Sequence, residues 1–256
     1  MAQERFFEEQ MPDIVEQWRH YLSVLRPAPG EAILDVGCNI GDAERFLVQE
    51  HPDIASVVGV EVNPAIHAAA VARWRADGSP SQIDFRCADA RALPFPDASF
   101  QRALCVEMLE WVVPPVAGLE EIRRVLAPGG TALIVHTDYD TQLFHAADRD
   151  LNRKVLQAFV DSGPNGRIGR DLYALCRKAG FRSVEPSVYV LTGTSSDPGR
   201  YPRRMVDLMT GWLKQPGTVT TVADAEIERW REDLAARAAE GTFFYSVNRY
   251  LCRCER

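Results

Sequence analysis

Ala32-Ile33-Leu34-Asp35-Val36-Gly37-Cys38-Asn39-Ile40-Gly41 is an apolar run with a carboxylate near its end that breaks into a turn bracketed by glycines. A second apolar run, Val57-Val58-Gly59-Val60-Glu61, closes on a carboxylate 24 residues after Gly37. The two runs read as strands of the first β-turn-α-β unit of a nucleotide-type site. Glycines in the turn let backbone approach a ligand closely, and the second carboxylate is placed to accept hydrogen bonds from ribose hydroxyls.

Glycine spacing separates the candidate ligands. A dinucleotide fingerprint G-x-G-x-x-G counted from Gly37 needs glycines at 39 and 42, where the chain has Asn39 and Asp42. An aspartate at the entrance of the following helix is a poor host for a pyrophosphate, because like charges would meet there. The helix N-terminus stabilises Asp42 instead, so the turn suits a ligand without phosphates. Asparagine tolerates positive φ better than other residues bearing a Cβ, so Asn39 is compatible with a tight turn.

Asp35-Val36-Gly37-Cys38-Asn39-Ile40-Gly41 resembles motif I, D-x-G-x-G-x-G, of the class I S-adenosylmethionine-dependent methyltransferases, with Asn39 in place of the middle glycine. Four further segments extend the resemblance in order. Ile83 to Ala90 is similar to the family's third strand, and Leu93 to Phe100 to the linker after it. Ala103 to Glu107 is similar to the fourth strand, with Trp111 where many relatives have histidine. Leu126-Ala127-Pro128-Gly129-Gly130 is similar to the turn into strand five, and the likeness runs over roughly residues 15 to 190.

The closest likeness is to the ubiquinone and menaquinone type of small-molecule enzyme. It implies a Rossmann-like, doubly wound, mostly parallel seven-stranded sheet with helices on both faces, and S-adenosyl-L-methionine as cofactor. By similarity, Asp35, Gly37, Cys38, Asn39 and Gly41 form the cofactor turn. Glu61, with Val62 beside it, holds the ribose. Asp89 accepts the adenine amino proton, Ala90 offers its backbone N–H, and the Cys105 backbone faces the methionine part.

A chain of 256 residues with 46% hydrophobic content can bury one large core. A net charge of −7, with no Lys/Arg-rich block, argues against a general nucleic-acid surface. No apolar run approaches a membrane span, and the first residues do not read as a signal peptide. The six cysteines lack paired extracellular spacing and read as reduced thiols of a cytoplasmic protein. Cys252 and Cys254, two apart, have no second pair at metal-ligand spacing, so a structural reading is favoured and no metal is expected.

Periodicity predicts a helix over about 4–25, with Phe6, Phe7, Ile14, Trp18, Tyr21 and Leu25 as its apolar stripe. Residues 1–28 read as an N-terminal helical lid, with the interface of a homodimer as the alternative. Arg19 on this helix can pair with the cofactor carboxylate or remain an ordinary surface arginine. Asn63 and Pro64 start another helix that stops near Gly78, and Pro114-Pro115 opens a third. Segments 137–166 and 192–242 exceed what the sheet needs, and read as helical cap insertions that select the substrate. The second contains a helix from about Val222 to Glu240, with Thr221-x-x-Asp224 as a capping-box variant.

The expected chemistry is displacement at a sulfonium methyl, in which the protein supplies alignment and exclusion of water. A base is needed only where the acceptor must lose a proton, and Asp138 and His145, just past strand five, are the candidates. Trp111, Tyr139 and Tyr245 are candidate substrate-pocket walls, with buried core aromatics as the alternative. The acidic Asp138, Asp140, Asp148 and Asp150 favour an amine or hydroxyl of a small metabolite as acceptor. The resemblance alone suggests natural-product or cofactor biosynthesis. Two other functions stay open: a cyclase or rearrangement enzyme that retains the cofactor, and a binding or regulatory protein with a vestigial site.

Overall fold

The computed structural model describes residues 11–76, 78 and 80–256. The first half alternates as expected: helix α1 (Pro12–Leu25), strand β1 (Ala32–Val36), α2 (Asp42–Glu50), β2 (Ser56–Glu61), α3 (Pro64–Ala76), β3 (Ile83–Cys87), β4 (Phe100–Val106), α4 (Pro115–Val125) and β5 (Leu126–Thr137). The second half supplies β6 (Leu143–Phe144), α5 (Arg149–Ser162), α6 (Ile168–Lys178), β7 (Ser183–Gly193), α7 (Tyr201–Leu213), α8 (Asp224–Ala239) and β8 (Tyr245–Glu255). Phe6 and Phe7, assigned from periodicity to the first helix, lie outside the described residues.

Strands pair in the order β3-β2-β1-β4-β5-β8-β6, with β7 also on β8. The first five are parallel, and β8 runs antiparallel to β5, β6 and β7. The Rossmann-like expectation of a mostly parallel sheet holds; to its seven strands the two-residue β6 adds an eighth. Alternate residues of β1 divide between two cores. Ile33 joins Leu47 of α2 and Tyr21 of α1 on one face, and Leu34 joins Ile122 of α4 and Leu172 of α6 on the other.

Segments 137–166 and 192–242 contribute β6, α5, α7 and α8. These pack into the same apolar cluster as α1 through Leu151, Val155, Met209, Ile227 and Trp230. Trp230 is fully buried, meets Phe144 edge-on at 5.4 Å, and donates its indole N–H to Asn152 Oδ1 at 2.9 Å. The α8 start differs from expectation. Ala223 is the N-cap, its N–H bound by Glu226 at 3.0 Å, whereas Thr221 lies before the helix. Glu226, three residues after Ala223, reaches back to a free N–H as a capping-box glutamate does.

Beneath the first turn, Asp35 of β1 and Glu44 of α2 are both buried. Neither Glu44 oxygen has a hydrogen-bond donor among the described residues, and the carboxyl sits over Gly59 of β2. Burial pushes Asp35 up to about 7, with a further upward push from Glu61, and holds Glu44 well above the usual carboxylate range. Cys38, Cys105, Asp42 and Glu61 are the other acidic groups facing the pair.

Two outcomes follow from this packing. Trp230→Ala should cost about 3–5 kcal/mol in urea unfolding, the range for deleting a buried aromatic, and a loss below about 1 kcal/mol would separate the cap from the core. Because both carboxyls are raised on folding, the native state retains protons that the unfolded chain releases. Their stabilisation is present in acid and lost as pH rises from about 4 through about 7. Melting temperature should therefore decline across that window, and Glu44→Gln should flatten the decline; an unchanged slope would refute the part assigned to Glu44.

Candidate active site

The carboxyl ends of β1, β2 and β4 surround a cavity of about 710 Å3. Its floor is the turn after β1, where Gly37 (φ 89°), Asn39 (φ 49°) and Gly41 (φ 82°) are all left-handed. A Cβ at Gly37 would lie 2.5 Å from Met108 Cγ, and one at Gly41 2.6 Å from Phe85 Cζ, so both glycines are sterically required. The turn is held by the N–H groups of Gly37 and Cys38, which donate to Val60 O at 2.8 and 3.0 Å. Asparagine occupies the middle position in the left-handed conformation expected of it.

Glu61 stands at the end of β2 with Oε1 accepting the Asn63 N–H at 2.9 Å. That contact orients the carboxylate and leaves Oε2 for a ligand in the cavity that Glu61 and Val62 line. Asn63 also caps α3, its Oδ1 accepting the Ala65 N–H at 2.9 Å. Asp89 and Ala90 line the opposite wall. The Arg91 guanidinium grips Asp89 and, together with the Arg91 N–H, holds its carboxyl below the usual range. Trp111 is 61% exposed at the rim, its indole N–H on Glu110 Oε1 at 3.1 Å.

Several expected residues stand elsewhere. Asp35 and Cys38 are buried below the turn, and Cys105 is buried within β4; none of the three lines the cavity. Arg19 projects outward and pairs with Glu50 of α2 at 3.3 Å, because α1 turns Ile14, Trp18 and Tyr21 inward. Asp138 is buried with its Oδ1 held by Arg170 at 2.8 Å and the Asp140 N–H at 3.1 Å. It anchors a turn and does not reach the cavity. His145 lies in the cap with Nδ1 2.7 Å from Thr242 O, also away from it. Tyr245 is fully buried and donates to Gln142 Oε1 at 3.1 Å, and Tyr139 also lies outside the cavity lining.

Beyond β4, Glu107, Met108 and Trp111 line the cavity, and Glu107 adopts φ 54°. Its Oε1 accepts from Thr137 Oγ1 at 2.7 Å and from Arg249 at 2.8 Å. Its Oε2 is buried without a donor, 3.9 Å from Nδ1 of buried His136. His136 Nε2 accepts the Leu109 N–H at 2.8 Å, which fixes the ring proton on Nδ1. Burial lowers the His136 pKa and favours the neutral ring. Glu110, behind Trp111, is raised to about 7 by burial and by Glu107.

Arg249 is reached from the inward face of β8, where Tyr245, Val247 and Leu251 are its buried neighbours. It donates also to Gln17 of α1 at 3.2 Å and to Tyr201 of α7 at 2.5 Å, with its guanidinium 5.1 Å from the Tyr201 ring centroid. Sequence reading passed over Glu107 and Arg249. The available signals were a carboxylate ending strand four and an arginine at the alternation of Tyr245, Val247 and Leu251.

The cavity thus presents Glu61, Asp89 and Glu107, with Arg91 as the counter-charge. Negative potential in a partly enclosed site favours a cationic ligand without phosphates. A glycine turn that excludes Cβ atoms and a strand-end carboxylate with one free oxygen fit an adenosine bearing a sulfonium side chain.

Residues 33–130 match the methyltransferase domain family. The chain is 31% identical to the O-methyltransferase cnsE of Penicillium expansum over 63% of its length and 55% of the relative's. It is 32% identical to the ubiquinone/menaquinone biosynthesis C-methyltransferase UbiE of Geobacter sulfurreducens, over 46% of this chain and 47% of the relative. The chain thus spans about half the length of these curated relatives. Among solved structures, a methyltransferase-like protein of Bacillus halodurans superposes with TM-score 0.64 at 18% identity, covering 94% of this chain and 98% of that one, which establishes likeness of fold. In residues 33–130 and in its fold the chain is thus similar to the class I S-adenosylmethionine-dependent methyltransferases, a likeness that supports S-adenosylmethionine as cofactor.

Proposed function

We propose that this protein methylates a hydroxyl or amine of a small molecule, and that Glu107 accepts the proton the nucleophile gives up. The observation that carries the reading is Glu107 Oε2, buried at the cavity end of β4 without a donor. A carboxylate with one oxygen fixed by Thr137 and Arg249 and the other free can orient an acceptor O–H or N–H. This role replaces those expected of Asp138 and His145. The Penicillium relative's being an O-methyltransferase supports oxygen as the methylated atom.

S-adenosylmethionine supplies an electrophilic methyl on a sulfonium that is already a good leaving group. Gly37 and Asn39 provide the close backbone approach for it, Glu61 the ribose contact, and Asp89 with Ala90 the adenine edge. The protein's remaining work is alignment and exclusion of water. The cap formed by α5, α7 and α8, with the N-terminal helix, would select the acceptor. Tyr201 of α7 and Gln17 of α1 meet on the arginine that holds Glu107, which supports this division of labour.

Transfer of labelled methyl from S-adenosylmethionine into a fractionated metabolite extract should place label in a discrete small-molecule peak; label confined to macromolecules would refute the reading. Glu61→Ala should weaken cofactor binding by about 1–3 kcal/mol in titration calorimetry, the range for a lost charge-assisted hydrogen bond. Affinity equal to the parent's would remove Glu61 from the ribose site. Glu107→Gln should keep cofactor affinity while slowing turnover about 100-fold or more, the scale of a lost general base. Undiminished turnover would end its assignment.

A further inference from the structure

The cap contains a second cleft of about 700 Å3, between β6, one face of α5 and Phe244 just before β8. It shares no lining residue with the cofactor cavity. At its wall Gln142 is 6% exposed; Oε1 accepts from Tyr245, but Nε2 is buried with no acceptor among the described residues. A buried amide N–H without a partner is costly, and Gln142 is a residue of the cleft wall.

Two further features describe what that acceptor belongs to. Leu143 and Phe244 are 49% and 38% exposed and face the cleft, so part of the ligand is apolar. Arg149 and Arg153 stand one turn apart on the same face of α5. Arg149 has no ion-pair partner among the described residues, and Arg153 has only a solvent-exposed contact with Asp150 at 3.5 Å. The Asp140 carboxylate, also in the lining, is neutralised by Arg167 and Arg170, each at 2.8 Å. Two under-used arginines at one cleft, in a chain of net charge −7, are a local anion site.

We propose that this cleft is a binding site for an amphipathic carboxylate, separate from the cofactor cavity. The apolar body lies against Leu143 and Phe244, and the arginines and the Gln142 amide supply the donors. Charge complementarity and the unpaired amide together favour a carboxylate over a neutral apolar molecule.

The test is calorimetric titration of the full chain with decanoate and with decanol, kept below the concentrations at which either self-associates. Decanoate should bind saturably, and decanol about tenfold more weakly or less, the scale of lost charge-assisted hydrogen bonds. The double variant Arg149→Gln/Arg153→Gln changes only exposed side chains, and should lose decanoate affinity by a similar factor while its melting temperature is retained. Glu61→Ala, in the other cavity, should bind decanoate like the parent. The proposal is overturned by any of three results: no saturable decanoate binding at millimolar concentration, equal binding of decanol or of the double variant, or loss of binding in Glu61→Ala.

Discussion

The structure turns on one buried guanidinium. Arg249 of β8 joins Gln17 of α1, Glu107 beyond β4, Thr137 at the end of β5 and Tyr201 of α7. Burying a guanidinium costs several kcal/mol unless its donors are satisfied, and here all three nitrogens have acceptors. The requirement to satisfy it brings the N-terminal helix, the sheet edge and the cap together at one point. The same contacts hold Glu107 with one oxygen engaged and one free.

Carboxylates are layered at the carboxyl edge of the sheet, with different consequences in each layer. Asp35 and Glu44 lie below the turn, where burial favours protonation and the pair acts as a structural acid. Glu61, Asp89 and Glu107 lie on the cavity, where negative charge attracts a cationic cofactor. The division follows position along the strands: Asp35 lies within β1 and is buried, while Glu61 and Glu107 stand where β2 and β4 end, at the edge of the cavity.

The cap is continuous with the core. Trp230, Phe144 and Tyr245 form an aromatic stack running from α8 to β8, so segments separated by more than fifty residues share one apolar cluster. Within it the Tyr245 hydroxyl donates to Gln142, whose Nε2 has no acceptor among the described residues.

Much of the fold was legible in one dimension because its determinants are local. Apolar runs ending in Glu61 and Glu107, the left-handed positions at Gly37, Asn39 and Gly41, and the Asn63-Pro64 helix start all depend on neighbours in sequence. The same locality placed Gly37, Asn39, Glu61, Val62, Asp89, Ala90 and Trp111 around one cavity, since parallel strands deliver their carboxyl ends to a common edge. Proximity along the chain misled where partners are distant. Asp138 follows strand five directly, yet Arg170, 32 residues later, takes its carboxylate into a turn; Arg19 is drawn outward by the burial of its helix neighbours. The pairing of Glu107 with Arg249 spans 142 residues and exists only once antiparallel β8 lies beside β5. Sequence alone determined the alternating architecture and the cofactor turn, because steric and hydrophobic rules act over a few residues. Tertiary structure alone decided which charges were neutralised and which oxygen stayed free, because burial and ion pairing depend on what the fold brings from far along the chain.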